Sequence, residues 1–436
     1  MRFTAPSTGP VTFAGTLDRT AVMRGTDGLV RMELVIAAHA QNDERSARVP
    51  TDLMVILDRS GSMEGQKLEQ ARAAVRELIA QLGPQDRFGL VTYSTDAALV
   101  IPLTTADADA RQRWLATLAT ITADGGTNMS SGLDLGIDSI ERMRGGGRVP
   151  RAILLSDGLA NQGDASHEGL MSRATRAARS EYMLTTVGIG ADFNEYLLTA
   201  LADAGTGNYY YLKADDDLAS VFAREFDAAR TTVASGLAVQ IEPTAGVRVV
   251  DAAGYPLEYG ARGVVLRPGS LFAGQERRIW VTLAVPAQAA GDVALGQFTL
   301  SYANGAERAT LAFAEVPRVA CVQSEDDFFA SVDVPSWTRS ILVDGYNQMQ
   351  QRVAQEVKAG RRDAALKVIQ EFRSATQAMN AHVQSAPVTS QLRSVDKLEN
   401  DVGAAFAGSN QPAKQNELSK ERMAEALDQR RPGSKR

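Results

Sequence analysis

The chain has 436 residues, of which 46 are basic and 52 acidic, so its formal net charge is −6. This length predicts two or three domains, because single cores rarely grow beyond about 250 to 300 residues. The charge balance gives no overall electrostatic footprint for nucleic acid or for an anionic membrane. A single cysteine excludes an intrachain disulfide and gives no support to cysteine-based metal sites.

The sequence leads us to expect neither secretion nor membrane insertion. Its N-terminal segment, which begins Met1-Arg2-Phe3, lacks the apolar core of a signal peptide. No stretch approaches the roughly 20 apolar residues of a membrane helix. We therefore expect a cytoplasmic protein with no membrane partner and no nucleic-acid partner.

Residues 1–48 are predicted to form strands. Val30, Met32, Leu34 and Ile36 alternate with other side chains, which is the period of a half-exposed antiparallel strand. A polar link at residues 41–46 then leads to the next domain.

Residues 49–230 are predicted to form an α/β domain with a doubly wound, mainly parallel sheet. The segments Leu53 to Leu57 and Ala152 to Leu155 are continuously apolar, as strands covered on both faces tend to be. Segments with helical periodicity alternate with these strands, and a helix at about Asp217 to Ala229 closes the domain. In such folds, ligands bind beyond the carboxyl ends of the strands.

The remainder of the chain is predicted to contain a β-sandwich and then helices. In residues 231–320 the apolar period returns to two, which indicates a small sandwich that also takes in the N-terminal strands. The α/β domain would then be an insertion in that sandwich. Residues 321–410 show helical apolar stripes, and residues 411–436 are predicted to be a flexible charged tail.

Five oxygen-bearing side chains follow the predicted strands of the α/β domain. Asp58, Ser60 and Ser62 follow the first strand, Thr127 lies in a glycine loop, and Asp157 follows the second apolar strand. Taken alone, the first three could cap a helix, Thr127 could cap the next helix, and Asp157 could sit in an ordinary turn. Their co-occurrence after apolar strands favours one metal site instead.

The motif Asp-x-Ser-x-Ser, with the distant Thr127 and Asp157, resembles the metal-ion-dependent adhesion site of the von Willebrand factor type A (VWA) family. The flanking parts are similar to those of bacterial intracellular members. The resemblance implies that Ser60 and Ser62 bind the ion directly, Thr127 directly or through water, and the two aspartates largely through water. It also implies a protein partner that supplies an Asp or Glu, for example a component of an AAA+ ATPase system.

Oxygen ligands without His or Cys select a hard cation, so we expect Mg²⁺, with Mn²⁺ able to replace it. Loop residues around the motif are candidates for the rim that selects the partner. These candidate partner-binding residues are Met63, Glu64, Asn128, Met129, Asn161, Gln162 and Asp164.

We expect no enzymatic activity. His39, His167 and His382 lie on separate segments, and the sequence has no nucleophile-elbow, zinc-protease or phosphate-loop motif. Two alternatives stay open: a metal-dependent hydrolase, and a structural subunit in which the ion only stabilises the loops.

Overall fold

The structure, a computed structural model, describes residues 1–39, 50–143, 148–157, 160–189, 195–212, 232–305 and 307–430. The predicted closing helix near residues 217–229 and the predicted link at 41–46 lie outside these residues. Within them, an α/β domain, an antiparallel β-sandwich and a set of C-terminal helices are present. The predicted fold class is therefore confirmed.

A six-stranded sheet forms the centre of the α/β domain, in the order β10-β9-β8-β5-β6-β7. Every neighbouring pair is parallel except β6 with β7, which is antiparallel at one edge. The strands are β5 (Thr51–Asp58), β6 (Arg87–Tyr93), β7 (Ala97–Thr105), β8 (Val149–Ser156), β9 (Met183–Ile189) and β10 (Thr206–Leu212).

Helices cover both faces of this sheet. Because side chains alternate along a strand, Leu53, Val55 and Leu57 of β5 pack on one face. Met54 and Ile56 pack on the other. The helices are α1 (Gln66–Gln81) and α2 (Ala108–Ala119) on the first face, and α3 (Met129–Arg142), α4 (His167–Arg179) and α5 (Glu195–Ala204) on the second.

Two five-stranded antiparallel sheets make the β-sandwich. One has the order β1-β2-β4-β15-β12 and the other β13-β14-β11-β17-β18. Their strands are β1 (Arg2–Thr4), β2 (Val11–Leu17), β4 (Leu29–Ala38), β11 (Thr232–Pro243), β12 (Arg248–Asp251), β13 (Glu258–Gly260), β14 (Gly263–Phe272), β15 (Glu276–Ala284), β17 (Gly296–Asn304) and β18 (Glu307–Ala312).

The N-terminal strands belong to the sandwich, because β4 pairs along its length with β15. Phe13 of β2 and Phe313 stack across the shared core, with ring centroids 4.7 Å apart. The α/β domain is therefore inserted between β4 and β11. A smaller sheet with the order β16-β19-β3 adds β3 (Ala21–Met23), β16 (Gly291–Ala294) and β19 (Arg318–Val322).

Two ion pairs join the α/β domain to the sandwich at the amino ends of the parallel strands. Glu181, just before β9, accepts a hydrogen bond of 2.6 Å from Arg308, and Arg179 donates to Glu258 over 3.2 Å. The carboxyl ends of the same strands lie at the opposite edge of the sheet. That edge therefore points away from these two contacts with the sandwich.

The chain ends in helices, and one of them corrects a prediction. Residues 411–436 were predicted to be a flexible tail, but residues 411–430 form a helix whose Leu418, Met423 and Ala426 are buried. The prediction is based on the many charged residues of this segment. Its three buried apolar residues nevertheless give the helix one face that packs against the rest of the protein. The helices are α6 (Glu325–Ala330), α7 (Val334–Arg339), a π-helical turn (Ser340–Gly345), α8 (Tyr346–Lys358), α9 (Arg362–Val383), α10 (Ala386–Ala405) and α11 (Gln411–Arg430).

None of the helices in the described residues is long and apolar enough to cross a membrane.

Candidate metal centre

Asp58 is the last residue of β5 and is fully buried at the carboxyl edge of the sheet. Its Oδ1 accepts a hydrogen bond of 2.8 Å from the Ser60 N–H, and its Oδ2 accepts one of 2.9 Å from the Ser156 hydroxyl. Burial raises the pKa of this carboxyl, and the nearby Asp157 adds to the effect, although the hydrogen bonds from Ser60 and Ser156 oppose it. Such a carboxylate favours a cation beside it.

A chain of hydroxyl contacts links the first loop of the site to Asp157. The hydroxyl oxygens of Ser60 and Ser62 lie 3.1 Å apart, and Ser62 donates to Asp157 Oδ1 over 2.8 Å. A short turn at Gly61–Met63 brings the two serines onto the same side. Asp58, Ser60, Ser62 and Asp157 therefore form one connected group, as the sequence predicts.

Thr127 lies in the glycine loop, which is joined to the loop that carries Ser60 and Ser62. The Gly61 N–H donates to the Gly125 carbonyl over 3.0 Å, which fixes the two loops together. Gly125 has φ +78°, and a Cβ atom there would lie 2.7 Å from Thr95 Oγ1, so glycine is required. The Thr127 side chain is buried, and its N–H donates to Asn161 Oδ1 over 2.9 Å.

Lys67, in the first turn of α1, is a site residue that the sequence analysis missed. Its Nζ contacts Asp157 Oδ2, while Asp157 itself is almost fully buried. A basic residue shortly after the serine motif was the available signal. Whether Lys67 reaches Asp157 depends on the direction of α1 relative to the sheet, and the motif alone does not show that direction.

The donor set fits a hard cation. Two carboxylates and several hydroxyl oxygens meet here, and the described residues contain no group of three or more His, Cys, Asp and Glu side chains that could hold a metal ion. A cation at this edge would therefore need the serine and threonine oxygens as well as the carboxylates. Hard ions such as Mg²⁺ take such ligands. Ser62 is exposed, which leaves one side open to solvent.

The predicted rim is only partly accessible. Glu64, Asn161, Gln162 and Asp164 are exposed. Met63 and Met129 were wrong as rim residues, because both are fully buried in the two cores of the domain. Burial of their apolar side chains beneath the helices stabilises the fold more than exposure at the loop surface would.

Two rim residues have structural contacts of their own. Asn128 is half-buried and caps α3 by accepting a hydrogen bond from the Ser131 N–H, so the alternative in which Thr127 caps this helix is wrong. Asp164 accepts hydrogen bonds from Ser166 and Arg173, which lower the pKa of its carboxyl. These contacts hold the loop on which the exposed rim residues lie.

A comparison with known protein families identifies one part of this chain. Residues 52–224 match the family model of the von Willebrand factor type A domain. This part of the chain is thus a VWA domain, flanked by antiparallel sheets and followed by C-terminal helices.

Relatives with similar sequences come from several organisms. An uncharacterized protein of Synechocystis sp. is 28% identical over 78% of this chain and 81% of its own length. An uncharacterized protein of Escherichia coli, YfbK, is 29% identical over 46% of this chain and 35% of its own. Human inter-alpha-trypsin inhibitor heavy chain H4 is 28% identical over 44% of this chain and 21% of its own. The last two matches thus span small parts of longer proteins.

Two solved structures share the fold over almost the whole chain. A von Willebrand factor type A protein from Catenulispora acidiphila is similar with a TM-score of 0.68 and 16% identity, covering 97% of this chain and 98% of that one. The ArnB paralog VWA2 from Sulfolobus acidocaldarius is similar with a TM-score of 0.58 and 17% identity, covering 98% and 99%. At these identities the likeness shows the fold alone.

Proposed function

We propose that the VWA domain is a non-enzymatic module that binds an acidic residue of a protein partner through Mg²⁺. The observation that carries this proposal is the connected group of Asp58, Ser60, Ser62 and Asp157 at the carboxyl edge of the sheet. The segments that follow β5 and β8 meet there, and the contacts between them are made by side-chain oxygen atoms. Ser62, a member of this group, is exposed to solvent.

In this proposal, Ser60, Ser62 and Thr127 hold the ion with their hydroxyl oxygens, and Asp58 and Asp157 balance its charge. The bound ion supplies an electrophilic position for one further anionic oxygen. The buried hydrogen bonds to Asp58 keep its carboxylate fixed in orientation. The fixed loops thereby reduce the ordering cost when a cation or a partner binds.

The position of the site supports a partner of protein size. The carboxyl edge of the sheet points away from the ion pairs of Glu181 and Arg179 with the sandwich. Glu64, Asn161 and Gln162 are exposed beside the site and can contact the partner around its acidic residue. Membership of the partner in an AAA+ ATPase system stays a prediction.

The hydrolase alternative has less support. His167 is the first residue of α4 and is exposed, with Ser166 as the helix cap, which suits a surface position at a helix start. A general base must reach the proton that it removes within hydrogen-bond distance or through one water. We therefore propose binding rather than turnover.

The test measures metal binding and partner binding separately. Titration calorimetry with MgCl₂ on the full chain and on Asp157→Ala measures the ion. Affinity capture from native lysate is then carried out in Mg²⁺, in EDTA and with Asp157→Ala as bait. Ser301→Ala, an exposed sandwich hydroxyl, is the matched control.

We expect Mg²⁺ binding and a captured partner only for wild type and Ser301→Ala in Mg²⁺. Partners that bind equally in EDTA would contradict the proposal. If removal of the ion lowers the melting temperature while the same partners remain bound, the ion is structural.

A further inference from the structure

A cavity of about 510 Å³ lies outside the VWA domain, between the N-terminal strands and the C-terminal helices. Val22 and Leu29 line it on the side of the strands, and Trp337 and Met349 line it on the side of the helices. Its volume falls within the usual range of small-molecule pockets. The exposed Ala375 also lines the cavity, which therefore opens to solvent.

The inner walls of the cavity are made of apolar side chains that are withdrawn from bulk solvent. Trp337, Ile341, Met349 and Val368 all line it, and each of them is at most 7% exposed. A water molecule is held firmly only where several polar groups surround it, and apolar walls do not provide them. The inner part of the cavity therefore suits an apolar ligand better than a polar one.

Aromatic rings and sulfur atoms are concentrated in these walls. The rings of Phe328, Trp337 and Phe372 line the cavity. Three methionines also line it, namely Met23, Met349 and Met379. Contacts of a ring with another ring, or with a thioether sulfur, stabilise beyond the burial of area alone. An aromatic ligand therefore gains more from these walls than an aliphatic ligand of the same size.

The wall beside Phe372 contains a glycine that the backbone geometry does not require. Gly345 lines the cavity and is the last residue of the π-helical turn, with φ −60° and ψ −44°, which any residue can adopt. Glycine is unfavourable inside a helix. A Cβ atom here would lie 3.4 Å from the Phe372 ring, so the glycine leaves the space beside that ring free of a side chain. Turns of π-helix are rare and frequently lie at functional sites, so this wall carries two features of a ligand site.

The charged groups at one end of the cavity already balance each other. An Arg19 Nη atom lies 3.4 Å from an Asp18 carboxylate oxygen, and Arg31 Nε lies 3.6 Å from one of Asp344. Both aspartates are buried, so each pair forms a neutral unit within the protein. An ionic ligand would have to give up its water without meeting an unbalanced opposite charge, which is costly. The pairs thus select against charged ligands.

We propose that this cavity binds a neutral aromatic small molecule, whose rings pack against Trp337, Phe372 and the three methionines. The two remaining charged residues that line the cavity, Asp27 and Arg352, are exposed and opposite in sign. They lie where water screens them and leave the apolar interior uncharged. The proposal concerns a site separate from the VWA domain and does not depend on metal binding.

The test is fluorescence titration of the full chain with two probes that share one ring skeleton. N-phenylnaphthylamine is neutral, whereas anilinonaphthalene sulfonate carries a negative charge. Ala375→Phe fills the cavity from an exposed position of α9 and removes no ion pair. Phe372→Leu keeps an apolar wall but removes one ring. Ala404→Phe, at an exposed position of α10 that does not line the cavity, is the matched control, and melting temperatures show that each variant is folded.

We expect saturable binding of N-phenylnaphthylamine to wild type and to Ala404→Phe. Ala375→Phe should weaken it by about tenfold or more, because the new ring takes up space that the probe needs, and Phe372→Leu by about two- to tenfold, the worth of one ring contact. The sulfonate probe should bind wild type more weakly than the neutral probe. The absence of saturable binding, or equal affinity in Ala375→Phe and wild type, would overturn the proposal. Tighter binding of the sulfonate would overturn the neutral assignment, and unchanged affinity in Phe372→Leu the aromatic one.

Discussion

The Ser62 hydroxyl donates to Asp157 Oδ1 over 2.8 Å, which joins two residues that lie 95 positions apart in the chain. This bond connects the loop after β5 with the end of β8. The two strands are neighbours in the parallel sheet, so their carboxyl ends meet at one edge. The site thus follows directly from strand order.

Removal of one serine hydroxyl should weaken metal binding without unfolding the domain. In Ser60→Ala we expect Mg²⁺ affinity to fall at least about tenfold, because the proposed function gives Ser60 a direct contact with the ion and the variant also loses the contact with Ser62. The melting temperature in EDTA should stay nearly the same. Titration calorimetry and differential scanning calorimetry measure the two effects. Equal Mg²⁺ affinity in Ser60→Ala and Ser301→Ala would contradict a direct role of Ser60.

Lys67 should oppose cation binding, because its ammonium contacts the same carboxylate that would balance the ion. In Lys67→Met we expect Mg²⁺ affinity to rise about three- to tenfold, because the positively charged lysine no longer repels the cation or competes with it for the Asp157 carboxylate. Lys67→Arg keeps the charge and should resemble wild type. Calorimetric titration at constant ionic strength measures the difference. A weaker affinity in Lys67→Met would show that the lysine supports the site instead.

The stability of the VWA domain should depend on Glu141 in a pH-dependent way. Burial favours a higher pKa, but hydrogen bonds from Arg176, Ser180 and Tyr182 outweigh it and lower the pKa below the ordinary value of 4.5. The ionised Glu141 carboxylate therefore makes its full contribution to the free energy of unfolding above pH 4.5. This contribution is lost as the pH falls through the pKa of Glu141 in the folded state.

In Glu141→Gln we thus expect a loss of about 1 kcal/mol at pH 7 that shrinks in more acidic solution. Urea unfolding at a series of pH values measures it. Glu77→Gln, on the exposed face of α1, should show no such trend. A constant difference between Glu141→Gln and wild type at all pH values would argue against the ionised carboxylate as the cause.

Two helical glycines should respond in opposite ways to alanine. A Cβ atom on Gly132 of α3 would lie 2.7 Å from the Tyr93 ring, whereas Gly403 of α10 has open space around it. Gly132→Ala should cost about 1–3 kcal/mol by overpacking. Gly403→Ala should stabilise by about 0.5–1 kcal/mol through helix propensity. Chemical denaturation gives both values, and stabilisation by Gly132→Ala would show that the sheet and α3 can move apart.

The C-terminal helix should contribute to stability. Leu418 packs in the same core as Val353 and Val402, and Gln350 donates to Glu425 over 3.0 Å. Leu418→Ala should cost about 2 kcal/mol or more, whereas Glu417→Ala on the exposed face should be nearly neutral. Scanning calorimetry measures the melting temperatures of both variants and of wild type. Equal melting temperatures would favour the flexible tail that the sequence predicted.

The sequence by itself determined the local elements and the positions of oxygen-bearing side chains after the strands. The apolar run from Leu53 to Leu57 predicts a strand buried on both faces, and this was confirmed because both faces carry helices. The alternation from Val30 to Ile36 likewise predicts an antiparallel strand, which is confirmed by β4 and its antiparallel pairing with β15. The oxygen-bearing residues Asp58 and Asp157 mark the strand ends, since a side chain's chemistry and its place after an apolar run are both local properties.

Only the tertiary structure decided which side chains face the site and which face the core. Met63 and Met129 flank the motif in sequence but are buried, whereas Lys67 reaches Asp157 from a helix. Arg19 and Arg31 meet the C-terminal helices around a cavity that no local pattern indicates. These relations depend on how helices and sheets pack, which is set by contacts between residues far apart in the chain. Periodicity identifies an apolar face, but packing determines what covers it.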